Sequence, residues 1–271
     1  MLKIILGEKE NYVLTKNFSI LKAIKFGFTE FFYNFKDYFK FSFATGLIYV
    51  GIIKILLLII PLFFSDYLSK LSKASIVFKI ILEYILPIIT AAIFVLIKYI
   101  PIFILISFIL EHQLLNKKLE FNFTDLTNKK RWQFVWIRIK YGLLVGIGFS
   151  LLVIPGIYWY LQYYFRGFTF IDKNINDAQD EQISQKISSG VRFKLMFFEL
   201  IWAIPLELIG FIIAVPVFIN PASIFTYPRP LTISIILFEF FYAVLYLPIW
   251  ILASISIYKQ LTVAGENKTH T

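Results

Sequence analysis

The segment that decides the fold is residues 141–197, which read YGLLVGIGFSLLVIPGIYWYLQYYFRGFTFIDKNINDAQDEQISQKISSGVRFKLMF. An apolar run broken at Pro155-Gly156 is followed by a polar segment that opens at Asp172. An amphipathic stretch with Gly190 inside it then leads into another apolar run. Because proline has no N–H and glycine admits a positive φ, the first run is either one kinked helix or a helical hairpin.

The composition of the whole chain is that of an integral membrane protein. Of its 271 residues 59% are hydrophobic, and the mean hydropathy is +0.75. A soluble domain uses roughly 45 to 50% apolar residues. Several apolar runs reach the roughly 20 residues that a helix needs to cross the hydrocarbon core, where the backbone must satisfy its own hydrogen bonds. The sequence therefore predicts an all-α fold, a polytopic transmembrane helical bundle.

The apolar runs and their polar connections predict a single membrane domain, residues 1–271, with about six membrane segments. Its order is a cytoplasmic arm with a basic amphipathic helix, a first helical pair, a basic cytoplasmic segment, the Pro-Gly hairpin, a second amphipathic helix, a last helical pair and a tail, at residues 1–40, 41–110, 111–140, 141–171, 172–196, 197–257 and 258–271. The four long spans are expected at residues 41–64, 85–110, 197–218 and 231–257.

The positive-inside rule separates the two interpretations of Pro155-Gly156. If the chain turns there, the cytoplasm holds seven basic residues in 1–40, seven in 111–140, five in 166–194 and two in the tail, which makes 21 of 27. If the run crosses once, the cytoplasm holds 15. The rule favours a hairpin and places both termini inside. It leaves open whether the hairpin spans fully or re-enters partway.

Local signals refine the polar parts of the chain. Ser19 precedes a run of apolar residues at helical spacing and is a candidate N-cap. Trp132 and Trp136 lie on one side of a predicted helix beside lysines and arginines, which is typical of an anchor at headgroup level, although a plain cytoplasmic loop has the same composition. Gly142 and Gly146 form a small-x3-small pair that favours close approach of another helix.

Sequence motifs for catalysis, metals and cofactors are absent. There is no cysteine, and the only histidines, His112 and His270, are far apart in sequence. No zinc, Walker or Rossmann signature occurs. Ser184 and Ser188 are hydroxyls on an interfacial helix without an evident base, so they do not predict a nucleophile. We expect no enzyme activity, no cofactor and no metal site.

The order of motifs resembles a bacterial family of multi-pass membrane proteins that also forms the membrane domain of glycerophosphodiester phosphodiesterases. The resemblance covers most of the chain and is carried by an Ile-Pro-Gly segment, an Asp and a Ser-x5-Gly-x3-Lys helix, here Ile154, Pro155, Gly156, Asp172, Ser184, Gly190 and Lys194. It implies a helical membrane domain. No phosphodiesterase domain follows the last span, and Gln179-Asp180 stands where the family usually has Glu-Ala, so no catalytic residue is carried over.

Four ionisable residues are predicted at membrane depth, where such groups are costly and tend to find partners. Lys54 and Lys98 lie in the first two spans, and Glu207 and Glu239 lie in the last two. The economical interpretation is that these cations and anions pair between the halves of the chain. A coupled ion site and lysines that extend to the headgroups are the alternatives.

The predicted function is that of a non-catalytic membrane module in the bacterial cytoplasmic membrane. Its expected partners are anionic lipid headgroups or another membrane protein, and nucleic acid is not expected although the net charge is +10. The basic residues flank apolar runs, which is the arrangement that lipid attraction requires. The alternative is a transporter or permeation path that uses the intramembrane charges.

Overall fold

The computed structural model describes residues 17–71, 86–119, 127–219 and 228–262, and every regular element in these ranges is helical. This confirms the all-α class. The helices before the hairpin are α1 (Ile20–Tyr33), α2 (Phe35–Leu71), α3 (Leu86–Leu115) and α4 (Lys129–Leu151). The helices after Leu151 are α5 (Val153–Gln162), α6 (Phe168–Lys173), α7 (Asp177–Ser188), α8 (Arg192–Ile219), α9 (Pro228–Phe241) and α10 (Leu247–Thr262), with a π-helical turn (Tyr242–Tyr246) between the last two.

The helices run further than the predicted spans. The helix α2 continues to Leu71 through Pro61 and Ser65-Asp66, where the sequence predicts a stop. The sequence also predicts a proline-rich outer turn at residues 220–230, but the helix α9 begins inside it, at Pro228. Proline is favoured in the first turn of a helix, because the first N–H groups have no intrahelical partner. Proline therefore marks a helix start here, and its presence does not predict a loop.

Two helices among the described residues are long and apolar enough to cross a membrane, Lys129–Leu151 and Ile236–Thr262. Their mean hydropathies are 1.5 and 2.0. They are compatible with a membrane protein by length and composition.

The chain forms two compact units. The first contains Met1–Phe35, Ser107–Ile209 and Pro248–Thr271, and the second contains Lys36–Ile106 and Gly210–Leu247. In the second unit, α2 packs closely at Gly46, where an added Cβ would lie 2.7 Å from Val244.

The first unit has a core built from α1, α8 and α10. Ser19 caps α1 by accepting a hydrogen bond from the Lys22 N–H, as the sequence predicts. Gly27 allows α1 to approach α10, because an added Cβ would lie 2.7 Å from the Ile249 carbonyl oxygen. The ring of Phe28 stacks on Trp202 of α8 at 5.9 Å between centroids.

The helices α4 and α5 form an antiparallel pair, but the position predicted for their turn is wrong by three residues. The break is at Leu152, which is extended with φ −159° and ψ 145°. Pro155 is the third residue of α5, where the N–H that it lacks would have had no intrahelical partner. The Tyr141 hydroxyl donates to the Tyr160 carbonyl at 2.6 Å, which ties the two helices together away from the break.

Gly156 has a packing role in this pair. An added Cβ at Gly156 would lie 2.5 Å from the Phe149 ring, and one at Gly148 would lie 2.9 Å from the Gly156 Cα. The predicted pair Gly142 and Gly146 has no atom within 4 Å of its added Cβ positions among the described residues. Close helix approach therefore occurs at Gly148 and Gly156.

The sequence predicts one amphipathic helix within residues 172–196, but the structure has parts of three helices there. Asp172 belongs to α6, α7 covers Asp177–Ser188, and α8 begins at Arg192. Gly190 lies between α7 and α8 with φ +85°, a conformation that favours glycine and ends the helix. The apolar stripe faces inward, since Ile187, Val191 and Leu195 are buried.

Candidate anion-binding groove

The first wall of the groove is the N-terminal half of α4. Asn128 caps the helix by accepting a hydrogen bond from the Lys130 N–H at 2.9 Å. The buried face holds Arg131, whose guanidinium lies 3.5 Å from the Phe108 ring centroid and pairs with Glu111 at 3.4 Å. The opposite face is therefore turned outward, and it carries the exposed side chains of Lys129, Gln133, Trp136 and Lys140.

The second wall is the connection between α6 and α7. Asn174 ends α6 in the left-handed conformation, at φ 55°. Asn176 starts α7 with a capping box, because it accepts from the Gln179 N–H and the Gln179 side chain accepts from the Asn176 N–H. These two local signals fix the course of the connection beside α4.

The two walls enclose an open groove of about 640 Å³. It is lined by Lys129, Lys130, Gln133, Trp136, Ile137, Lys140, Phe170, Asn174, Ile175, Asn176 and Asp177. Lys130 Nζ lies 5.9 Å from the Phe170 ring centroid and 3.4 Å from the Ile171 carbonyl oxygen. Lys140 Nζ lies 6.0 Å from the Trp136 ring centroid. The groove thus combines ammonium groups with aromatic rings.

The charge of the groove is positive. Asp177 is the one carboxylate among its lining residues, and it is bound by Lys140 at 2.9 Å and by Arg166 at 2.6 Å. Burial acts to raise the pKa of Asp177, but the hydrogen bonds from Arg166 and Lys140 outweigh it and hold that pKa below its usual value. Asp177 is therefore ionised at neutral pH and forms ion pairs with Arg166 and Lys140. Lys129 and Lys130 remain to attract an anion.

A buried carboxylate behind the groove holds α7 in place. Asp180 accepts hydrogen bonds from the Gly167 N–H at 3.0 Å, from the Phe170 N–H at 2.8 Å and from the Thr169 hydroxyl. Gly167 adopts φ +90°, which turns its N–H toward this carboxylate. Burial raises the pKa of Asp180 to about 6, although these donors and Arg166 favour the ionised form.

A second polar cluster ties α5, α8 and α10 together. Glu199 accepts hydrogen bonds from Tyr160 at 2.7 Å, from Tyr164 at 2.5 Å and from the Trp250 indole at 3.0 Å. Tyr164 also lies 2.9 Å from the Ser254 hydroxyl. Three neutral donors thus satisfy this carboxylate, and the cluster fastens the helices to one another.

The residues that the resemblance singles out also connect helices. Asp172 accepts a hydrogen bond from the Tyr258 hydroxyl at 2.7 Å. Lys194 binds the Phe18 carbonyl at 2.9 Å and the Asn17 side chain, which ties α8 to the residues before α1. Ser184 is fully buried in α7. These residues do not come together in one site.

The residues predicted at membrane depth are placed as follows. Lys54 and Lys98 fall in α2 and α3, and their side chains lie outside the described part of the structure. Glu207 is exposed on α8. Glu239 accepts a hydrogen bond from the Tyr49 hydroxyl at 2.7 Å, within the second unit. Pairing of these charges stays a prediction.

Sequence reasoning identified one wall of the groove and missed the other. The side of α4 that carries Trp136 and the cations is visible as an anchor pattern. The wall formed by Asn174, Asn176 and Asp177 depends on the α6–α7 connection, whose signal is the capping-box spacing of Asn176 and Gln179. Comparison of the chain with family models, with curated proteins and with solved structures returns no match.

Proposed function

We propose that this chain is a polytopic helical membrane protein of the bacterial cytoplasmic membrane that binds anionic lipid headgroups in the groove between α4 and the α6–α7 connection. It acts as a non-catalytic membrane module with six membrane segments and both termini inside. The hydrophobic content of 59% and the two helices with the length and composition of membrane spans support the membrane location.

The observation that carries the headgroup proposal is that Lys129, Lys130 and Lys140 line one groove together with Trp136. Lysines near the membrane surface attract the phosphate of an anionic headgroup, and tryptophan rings are enriched at the headgroup level. Each cation near an anionic surface contributes about 1 kcal/mol. Because Lys140 is bound to Asp177, most of this attraction comes from Lys129 and Lys130, and loss of all three lysines should weaken binding by at least about tenfold.

Native mass spectrometry tests this proposal on the protein in nanodiscs of phosphatidylcholine with a small fraction of phosphatidylglycerol. The test variant replaces Lys129, Lys130 and Lys140 with glutamine. The wild type should retain phosphatidylglycerol in preference to phosphatidylcholine, and the test variant should lose that preference. Retention of phosphatidylglycerol by the test variant would overturn the proposal.

A control variant separates a defined groove from diffuse attraction. Replacing Lys22, Lys25 and Lys186 with glutamine removes the same charge from exposed positions outside the groove. This variant should keep the preference for phosphatidylglycerol. Equal losses in the test and control variants would mean that the net charge alone attracts the lipid. Inorganic phosphate is then added to the wild-type protein. Release of the bound phosphatidylglycerol would mean that the groove is a site for free phosphate, and retention of the lipid would mean that it binds the whole headgroup.

A further inference from the structure

The break between α4 and α5 forms an apolar tip, residues 149–154. Four consecutive side chains in it are largely exposed: Leu151 67%, Leu152 68%, Val153 61% and Ile154 80%. Because consecutive residues point in different directions, the tip is apolar on all sides. A helix that docks on a protein partner usually exposes one apolar stripe. An exposed apolar surface on every side of a turn favours contact with lipid hydrocarbon over docking on one protein face.

Leu152 at the break and Ser150 beside it have hydrogen-bond partners inside the hairpin. The Leu152 N–H donates to the Gly148 carbonyl at 3.0 Å, and the Leu152 carbonyl accepts from the Gly156 N–H at 3.4 Å. Ser150 donates its hydroxyl to the Gly146 carbonyl at 2.9 Å. Pro155 contributes no N–H at the start of α5. Such internal hydrogen bonds matter in hydrocarbon, because hydrocarbon offers no hydrogen bonds to the backbone or to side chains.

Cations lie on both sides of the tip at short distances along the helices. Lys140 precedes Leu151 by eleven residues, or about 16 Å of helix. Arg192 lies over the Tyr158 ring at 4.7 Å, and Tyr158 follows Val153 by about 8 Å of helix. Cations seek headgroup phosphates. The tip then lies about 8 to 16 Å below the headgroups, which is no deeper than about the middle of the roughly 30 Å hydrocarbon core.

We infer that the tip of the α4–α5 hairpin inserts into the hydrocarbon of one leaflet and returns to the side from which it entered. The inference rests on the membrane association proposed above and is independent of the groove. Its partner is the acyl chains of the lipids. The helix α5, with ten residues, extends about 15 Å, which is too short for a full crossing.

The depth of the tip can be measured with a single cysteine, because the chain has none. Val153→Cys labelled with a membrane-permeant fluorophore should be quenched by lipids that carry a quencher deep in the acyl chain. It should not react with an impermeant thiol reagent from either side of the membrane. Ser189→Cys, at an exposed position between α7 and α8, should react with that reagent from one side.

The outcomes test the insertion of the tip and the membrane location of the protein separately. Reaction of Val153→Cys with the impermeant reagent, in protein that stays in the membrane after a carbonate wash, would overturn the inference alone, because the tip would then be in water or across the bilayer. Release of the wild-type protein by the carbonate wash would overturn the membrane proposal as well. Quenching by deep lipid probes without aqueous reaction supports insertion into one leaflet.

Discussion

Asp180 shows how one buried carboxylate makes the stability of the fold depend on pH. Its folded-state pKa of about 6 lies above the ordinary value of 3.8. Between these values the folded state holds a proton that the unfolded state has lost, so stability falls as the pH rises through this range. The shift corresponds to at most about 3 kcal/mol.

The Asp180→Asn variant tests this assignment. The wild-type melting temperature in detergent should fall between pH 4 and pH 6.5, and the slope of this fall should be smaller in the variant. Asp177 has a lowered pKa and acts in the opposite direction below pH 3.8, outside this window. An unchanged slope in the variant would contradict the assignment.

Arg166 is the cation that holds the acidic start of α7. Its side chain is 7% exposed and binds Asp177 at 2.6 Å and Glu181 at 3.3 Å. Arg166→Met removes the buried partner of these two carboxylates, which are themselves about a third exposed, and we expect a loss of about 1.5 to 3 kcal/mol in the free energy of unfolding. Chemical denaturation in detergent measures the change.

Lys140→Met is the matched control for Arg166, because both cations bind Asp177. The Lys140 side chain is 46% exposed, so its ion pair is screened by solvent and should contribute no more than about 1 kcal/mol. Comparable losses in the two variants would mean that burial does not set the strength of these pairs.

At the scale of the element, the glycines of the hairpin divide into two classes that sequence cannot separate. Gly142, Gly146, Gly148 and Gly156 all lie in apolar helices. Only the last two lie in the contact between α4 and α5. The spacing of Gly142 and Gly146 matches a packing motif, but a motif does not say which face of a helix meets its neighbour.

Gly156→Leu should force the hairpin apart, because its Cβ would lie 2.5 Å from the Phe149 ring. Gly146→Leu adds the same volume where no described atom lies within 4 Å, so it should be tolerated. We expect a lower melting temperature for Gly156→Leu, by several degrees or more, and little change for Gly146→Leu. Equal effects would show that leucine acts through something other than the α4–α5 contact.

Helix N-caps are well predicted from sequence, because the capping residue and its hydrogen-bond partner are only a few residues apart. Ser19 caps α1 through a bond to a residue three positions later. The break at Leu152 has no such signal, because its extended conformation depends on how α4 and α5 pack. The sequence places the break at Pro155, but proline is tolerated in the first turn of the helix that follows a break.

At the scale of the whole molecule, composition predicts the helical class and the hydropathy predicts where the long helices lie. The groove could not be predicted in this way, because Asp177 contacts Lys140 across 37 positions of sequence.

The structure also shows which positions are suited to report the topology by cysteine labelling. Ser188 is fully buried, whereas the neighbouring Ser189 is exposed, so only a cysteine at Ser189 reports which side of the membrane the α7–α8 turn faces.

Ser189→Cys should resist an impermeant thiol reagent in intact cells and react with it in inverted vesicles, because the positive-inside rule places residues 172–196 in the cytoplasm. Ala222→Cys, in the predicted outer turn, should show the reverse. Reaction of Ser189→Cys in intact cells would mean that residues 141–171 cross the membrane once.

The last prediction concerns the charges at membrane depth in the second unit. Glu239 accepts a hydrogen bond from the Tyr49 hydroxyl at 2.7 Å. If Lys98 also pairs with it, Lys98→Glu should lower the melting temperature in detergent, because two like charges then share a costly environment. Adding Glu239→Lys should restore it.

Glu207 supplies the control for that reversal. It is exposed on α8, and Glu207→Lys makes the same charge change as Glu239→Lys. Combined with Lys98→Glu, it should fail to restore the melting temperature if the pair is Lys98 with Glu239. Rescue by Glu207→Lys alone would assign Lys98 to that carboxylate, and rescue by neither would remove the idea that lysines and glutamates in the apolar helices are paired.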